Sequence, residues 1–512
     1  MALFTATSYE EQKAHGFRPR ADVQAWPLTL PIDWNADPFK DRNWRFHLHS
    51  WRMTDAIFEK YVKTGDPAYL DEATIFIRDW HAYHLIAGKS SEFSWYDMAA
   101  GIRAIRIAFL QEQISTGKWN PPTADRNILH GLASIHAKRL QDENFISLGN
   151  HGLFQTVGLD MLCQEFADMP ECRNGRKFAA KMFEKISGGQ FTEEGIHTEN
   201  SPQYHRFALT AIENVGGTDR FDLPALRRKL DLAKEAWPFM VFPDGTVVRV
   251  GDSAGYGNSL KVPDPHPVKL SNGKEFAVRD WHESGYIVIR SNPPKQDSML
   301  FVTGMNEVWS GHKHADNLSF ELYEHGRQIF VDSGKFGYNK SEVRNYFVSA
   351  AAHNTISIRD RPQTPRDVKL NGSSLNPLEI TDDQFVVTGS AEFPRLGFRH
   401  ERRLSYEPGR SLTIIDKVTS GREREFVSTL VLPPDLIPQM TENGFELTLA
   451  DGKRIVGSVE QRDCRVEAVR GQDEPPLGWI SSNYLKKEPT TVVRAICRGN
   501  VQTITWEINL KA

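Results

Sequence analysis

"GHKHADNLSFELYEHGRQIFVDSG", residues Gly311 to Gly334, opens with two histidines two residues apart, passes into an alternating run and ends on an aspartate beside a glycine. The runs "LSFELYEHG" and "RQIFVDSG" predict two strands of a hairpin turning at His325 and Gly326. His314, ahead of the first strand, and Asp332, near the end of the second, then lie at the same end of the hairpin. His353, in "AAHNTISI" at the start of a further strand, adds another imidazole. Two imidazoles and a carboxylate are a ligand set for zinc or a similar divalent ion; the alternative is a cluster of polar strand ends bonding one another.

Downstream of this stretch the texture stays short, alternating and broken by Gly, Pro and Asn, as in "NTISIRD", "QFVVTGSAEF", "RHERRLSYEPGRSLTIIDKV" and "QTITWEINL". That predicts an antiparallel β half, a sandwich. Upstream, from about residue 40 to 240, the periodicity is helical: "FHLHSWRMTDAIFEKYVKTG" and "PAYLDEATIFIRDWHAY" predict an antiparallel pair joined by "KTGDP", and further amphipathic stretches follow in series. So many pairs in a row predict an α/α toroid rather than a four-helix bundle. The fold class is therefore α+β and multidomain, with an incomplete α/α toroid over 1–245 and an antiparallel β-sandwich over 246–512. The boundary falls near Pro243 to Pro267, which is too rich in Gly and Pro for either pattern.

A chain of 512 residues needs no staple or metal merely to fold. Lys and Arg number 62 against 66 for Asp and Glu, a net charge of -4, which is not the balance of a nucleic-acid binder, so an anionic partner must be met locally. Cys163, Cys172, Cys464 and Cys497 show no CxxC spacing and read as buried thiols. The start "MALFTATSYEEQKAHG" carries no export signal, and no run of 18 apolar residues predicts a membrane span.

Two polar clusters stand out in the helical half. "LGNHGLFQ" places Asn150 and His151 at a helix start, and "HTENSPQYHRF" groups His197, Glu199, Tyr204, His205 and Arg206. Polar groups this dense are costly to bury without a purpose, although each alone could be a cap or a satisfied core group. "FSWYDMAAGIRAIR" adds Trp95 and Tyr96 with Arg103 and Arg106, which could stack on a sugar and pair with its carboxylate, or could be core and solvated face.

These motifs together resemble polysaccharide lyases of the heparinase II/III type, which include several alginate lyases. "HKHADNLSFELYEHGRQIFVDSG" is similar to the family's H-x-H-x-D-x-x-S-F-x-L…G…D-x-G signature, and the "NHG" at Asn150 and the tyrosine of "NSPQYH" resemble its two helical-domain motifs. The resemblance implies β-elimination on a uronate-containing acidic polysaccharide: heparan-like, alginate or a bacterial exopolysaccharide. Asn150 and His151 would neutralise the uronate carboxylate, with Tyr204 as acid and His312 as base; Tyr204 serves both steps if the transferable sites share one face. Tyr204 and His312 are expected to face each other across a groove wide enough for a sugar acid. Trp95, Tyr96, Arg103, Gln155, Glu199, Arg206 and Tyr338 are candidates for substrate binding, with Tyr346 as a second candidate for an additional cleft tyrosine. His314, Asp332 and His353 match the family's metal site, implying a structural divalent ion, zinc first and calcium second, that holds the strand presenting His312. The acidic partner that some relatives carry near "NHG" is not visible here, since Phe154 and Gln155 occupy the neighbourhood. Members of the family commonly meet polymer outside the cytoplasm, in the periplasm or secreted; oligomeric state is not legible.

Two other readings compete. A glycoside hydrolase on the same toroid would need flanking carboxylates, for example Glu199 with Asp97 or Asp252. A glycan-binding protein with a dead site would lose nothing on substitution of Tyr204 or His312.

Overall fold

The structure, a computed structural model, describes residues 7–214, 220–255, 257, 264, 266–293, 297–305, 311–369, 372–381, 383–461 and 463–511. Within the Gly- and Pro-rich stretch between Pro243 and Pro267, residues 256, 258–263 and 265 lie outside them. The chain forms two compact units, Met1–Gln190 with Thr210–Arg227, and Phe191–Leu209 with Arg228–Ala512.

The first unit is helical, built on Arg42–His49, Asp55–Thr64, Ala68–His81, Asp97–Ser115, Thr123–Arg139, Asn150–Glu165 and Gly175–Gly188, with helices adjacent in sequence mostly packed side by side, as in a toroid. The helix expected across "FHLHSWRMTDAIFEKYVKTG" is two. Trp51 breaks it with φ 57, a left-handed conformation costing about 1–2 kcal/mol in a non-glycine residue, and in exchange its indole is fully buried, edge-on to Trp80 at 5.5 Å. Gly65 (φ 72) ends the second piece as its "KTG" predicts. The four cysteines, read as thiols, are instead paired as Cys163–Cys172 and Cys464–Cys497, pairings their spacing did not advertise because the partners are brought together by tertiary packing.

Helices Asp97–Ser115 and Asn150–Glu165 meet where Gly101 and Gly158 leave their backbones in contact; a Cβ on Gly101 would lie 2.5 Å from the Phe154 carbonyl. This close crossing brings the two N-terminal ends, with Asp97 and His151, together.

The second unit contains a six-stranded antiparallel meander, β1 (Val268–Lys269), β2 (Glu275–Trp281), β3 (Tyr286–Ser291), β4 (Met299–Thr303), β5 (Ser319–Glu324) and β6 (Arg327–Phe330). A ten-stranded antiparallel sheet is centred on the long strands Ser411–Val431 and Thr491–Asn509. Strands β3, β4 and β5 are buried on both faces rather than alternating. One face, with Ile287, Leu300 and Phe320, packs on Leu404, Phe426 and Trp506 of the larger sheet. The other, with Val288, Met299 and Phe301, packs on Ile196, Phe239, Met240 and Val250, so the stretch leading into Tyr204 is part of the β unit's core. Burying both faces fits the near-continuous apolar runs of β3 and β4, whereas β5 alternates in polarity and buries Ser319, Glu321 and Glu324.

The hairpin forms as read: β5 and β6 pair, Glu324 stands opposite Arg327, and His325 (φ 53) and Gly326 (φ 76) make a two-residue turn with both central φ positive. Behind it, Arg402 donates to both oxygens of buried Asp416 and to the Leu318 and Asn354 carbonyls, while Asn354 donates to the Phe320 and Val331 carbonyls. These bonds lock the segments that carry His314, Asp332 and His353. Among the described residues no helix is long and apolar enough to cross a membrane.

The Gly101–Gly158 crossing has no slack for a methyl group. Gly158→Ala should therefore lower stability by about 1–3 kcal/mol, read as a fall in the denaturant midpoint; an unchanged midpoint would show that the helices can part at no cost.

Candidate active site

The β unit gathers the densest set of functional groups. "NSPQYH" turns sharply at Asn200 (φ 48), and Pro202 opens the helix Pro202–Asn214, where a missing N–H costs nothing. The Ser201 hydroxyl caps this start, accepting from the Tyr204 N–H at 3.4 Å and touching the Ser253 hydroxyl at 2.8 Å. Tyr204 thereby stands one turn in, its ring stacked on His312 with centroids 3.5 Å apart and planes at 20°. The two residues do come together, but not as expected: a 3.5 Å stack leaves no room for a sugar between them, so they stand side by side on one wall.

His312 Nδ1 lies 3.0 Å from Asp252 Oδ2. Asp252 is wholly buried, and its other contacts are His314 Nε2 at 2.9 Å and both terminal nitrogens of Arg344 at 2.5 and 3.0 Å. Burial alone would raise its pKa, but the hydrogen bonds from His312, His314 and Arg344 override that and hold the carboxyl well below the usual carboxylate range. An ionised Asp252 accepts only, so Nδ1 of His312 carries a proton toward it, and Nε2 faces the other way, 3.9 Å from Glu199 Oε2. Asp252 sits on a turn that needs glycine before it: Gly251 has φ 60, and a Cβ there would lie 2.8 Å from the Asn200 carbonyl.

Beyond the stack, the Tyr204 hydroxyl is 2.7 Å from that of Tyr338, and Lys335 Nζ donates to Tyr338 at 3.3 Å and to Gln203 Oε1 at 3.1 Å. Burial first, then the neighbouring Tyr338 and acidic groups, push the Tyr204 phenol above its ordinary range, and burial pushes Tyr338 up to about 12. Both are neutral, proton-bearing groups at pH 7. Tyr346, the other candidate tyrosine, is buried against Trp479 and takes no part in this group.

His314, Asp332 and His353 are fully buried, with candidate ligand atoms all within 4.8 Å of one another. Their remaining atoms are oriented as a metal site requires: His314 Nε2 is held by Asp252, and His353 Nδ1 lies 2.7 Å from Asp332 Oδ2. His314 Nδ1 and His353 Nε2 are buried with no hydrogen-bond partner among the described residues. Two orphaned imidazole nitrogens beside a carboxylate fit a cation and are costly without one.

In the helical unit, Gly149 occupies the N-cap, so Asn150 and His151 are the first residues of their helix, both partly exposed. His151 Nδ1 lies 3.0 Å from Asp97 Oδ1, and Tyr96 packs 5.6 Å from the imidazole. His151 thus has an acidic partner, Asp97, supplied by another helix. Gln155 is buried, donating to the Phe145 carbonyl and accepting from the Ser147 N–H, and so holds the loop ahead of Asn150. Arg103 is wholly buried, bonded to the His49 and Ser94 carbonyls and to His136, and enclosed by Trp51, Trp80 and Trp95. Those commitments do not fit the expectation that Arg103 pairs with a sugar carboxylate or that Trp95 offers it a free face. Arg106 is likewise buried, against Asp55. In the β unit, Arg206 is exposed beside Trp237, while His197 and His205 are interior, His205 bonding the Ala233 carbonyl.

Arg344, Lys335 and Gln203 carry no motif that marks them in the sequence, and there Asp252 reads only as a hydrolytic acid. Gly251 directly before Asp252 in "GDS" was the one local signal. Buried and held by three cationic or imidazole groups, Asp252 is no flanking acid for hydrolysis.

The heparinase II/III N-terminus model matches residues 8–222, and the heparinase II/III-like C-terminal model matches residues 274–508. A heparin-sulfate lyase of Bacteroides stercoris is 23% identical, the alignment covering 89% of this chain and 73% of that protein. One from Pedobacter heparinus is 21% identical over 92% of this chain and 75% of its own length. Among solved structures, heparinase III superposes with a TM-score of 0.73 at 15% identity, covering all of this chain and 87% of that one, and heparan sulfate lyase HepC from Pedobacter heparinus with 0.69 at 17%, covering 98% and 82%.

Because the folded pKa of Asp252 is depressed, its stabilisation is present above the unfolded value of about 3.9 and is lost as pH falls toward the folded one. Asp252→Asn should cost about 3–5 kcal/mol at pH 7, as expected when a buried ion pair loses one partner. The gap in denaturation free energy from wild type should close below about pH 4. A gap that stayed constant with pH would mean that the carboxylate charge is not what stabilises this site.

Proposed function

Since this chain belongs to the heparinase II/III-like family, we propose that it is a polysaccharide lyase cleaving a heparan-like glycosaminoglycan by β-elimination at uronic acid residues, leaving 4,5-unsaturated ends. The observation that carries this reading is the Tyr204–His312 stack with His312 backed by Asp252. It offers a proton acceptor and a proton donor side by side, as the reaction needs. The hydrogen at C5 beside a carboxylate is a very weak acid, and the enediolate formed would bear two negative charges, so donors must neutralise that carboxylate. Asn150 and His151 are assigned this role through their family motif. His312 Nε2 takes the C5 proton, Asp252 stabilises the imidazolium, and Tyr204, which holds its proton at neutral pH, delivers it to O4 of the departing sugar. Glu199 and Arg206 are assigned to substrate contact, with Tyr96 in the helical unit.

Acid and base on one wall suit a uronate whose C5 hydrogen and O4 share a face, which is glucuronate rather than iduronate. The relatives' names favour a heparan-like polymer over alginate. The buried set of His314, Asp332 and His353 is assigned to a structural zinc. When bound, the ion would draw β5, β6 and the His353 segment together; Asp252, shared by His314 and His312, passes that order on to the reactive wall.

Incubation with an unsulfated glucuronate–glucosamine polymer should produce ultraviolet absorbance of a 4,5-unsaturated uronate, faster than with an iduronate-rich polymer. Reducing ends without the chromophore would indicate hydrolysis. His312→Ala and Tyr204→Phe should each lower kcat by about 10²–10⁴ with the fold intact by circular dichroism. Retention of full activity by either would remove that residue from the mechanism.

Elemental analysis of dialysed protein should find about one equivalent of zinc, and chelation should lower the melting temperature. Less than about a tenth of an equivalent of any divalent ion, with unaltered melting, would eliminate the metal assignment.

A further inference from the structure

Lys335, Tyr338 and Tyr204 stand in file. Lys335 Nζ is 3.3 Å from the Tyr338 hydroxyl, which is 2.7 Å from the Tyr204 hydroxyl. Counting protons gives this file a direction. An ammonium group can only donate, so the Tyr338 oxygen accepts from Lys335; with one acceptor position filled, sending its own proton to the Tyr204 oxygen is favoured, which leaves the proton of Tyr204 for a third partner. Without the lysine the two hydroxyls could point either way, and Tyr204 would spend part of its time donating to Tyr338.

We propose that Lys335 is a positioning residue that aims the acid proton of Tyr204 at the leaving group and resupplies it through Tyr338. This deepens the lyase reading above and rests on the acid role given there to Tyr204. As the electron pair left at C5 forms the C4=C5 double bond and the C4–O4 bond breaks, the Tyr204 proton passes to O4. The Tyr338 proton then moves to the Tyr204 oxygen and a Lys335 proton to Tyr338. The neutral amine regains its proton from solvent, while His312 releases to solvent the proton it took from C5.

Three features support the assignment. Gln203, the residue before Tyr204, accepts a second ammonium proton at 3.1 Å, which fixes Nζ relative to the tyrosine it serves. The backbone carrying the file is clamped: Ser481 donates through its N–H to the Ser333 carbonyl at 2.9 Å and through its hydroxyl to the Lys335 carbonyl at 2.6 Å, and the Leu485 N–H donates to the Phe336 carbonyl at 2.6 Å. Lys335 itself is 7% exposed, and burial draws its pKa below the ordinary lysine range, which eases proton release.

The test compares wild type, Lys335→Met, Lys335→Arg and Tyr338→Phe on the glucuronate polymer and on a small 4-deoxy-4-fluoro uronate, whose fluoride leaves without an acid. Lys335→Met and Tyr338→Phe should lower kcat on the polymer about 100-fold with KM within about twofold, yet lose less than about fivefold on the fluoride substrate. Lys335→Arg keeps the donor that aims Tyr204 but cannot give up a proton in the relay, so its kcat should recover only part of the loss, to a value between those of Lys335→Met and wild type. An effect on KM alone would make Lys335 a cation for the polyanion, and equal losses on both substrates would make it a structural support; either overturns the proposal. A wild type that releases unsaturated product from neither substrate would overturn the lyase reading and this inference with it, a result distinct from the other two.

Discussion

A carboxylate removed from water must be neutralised where it stands, and Asp252 meets that requirement with three partners from two separate segments. His312 and His314 come from the stretch ahead of β5, and Arg344 from the short helix Glu342–Val348. Because one buried charge accepts from all three, the His312 imidazole, the buried histidine of the metal-type set and the arginine cannot drift independently. His312 turns its ring toward Tyr204 while His314 lies fully buried, and Asp252 holds both.

The same economy governs the helical unit. Arg103 is a cation in the interior with carbonyls, an imidazole and indole faces around it. By holding the Ser94 carbonyl it fixes the segment that delivers Tyr96 and Asp97, and Asp97 in turn sets the tautomer of His151. Gln155 performs the equivalent task for the loop ahead of Asn150. Residues chosen from the sequence as contacts for a sugar thus serve one layer deeper, orienting the groups that are presented.

Local patterns carried much of the fold because their causes are local. Two adjacent residues with positive φ make the His325–Gly326 turn and set the pairing beside it, Glu324 with Arg327, before the register shifts between Tyr323 and Leu322. Helical spacing marked most helices, but the break at Trp51 was invisible, since a left-handed tryptophan is tolerated only where an indole-sized site awaits it. The disulfide pairs and the Asp97–His151 bond were hidden for a related reason: each joins residues whose separation along the chain says nothing of their distance in space.

Sequence by itself determined the helix-then-strand order, the hairpin, the candidate ligand set of His314, Asp332 and His353, and the pairing of a tyrosine motif with a histidine motif, because each depends on periodicity, turn chemistry or residue type. Only the tertiary structure decided that Tyr204 and His312 stack on one wall, that Asp252 backs both histidines, and that Lys335 and Tyr338 file up behind the tyrosine. Those are distances between segments far apart in the chain, and they follow from the packing of the stretch before Tyr204 into the core of the β unit, where burial of both faces of one sheet leaves it a single place to lie.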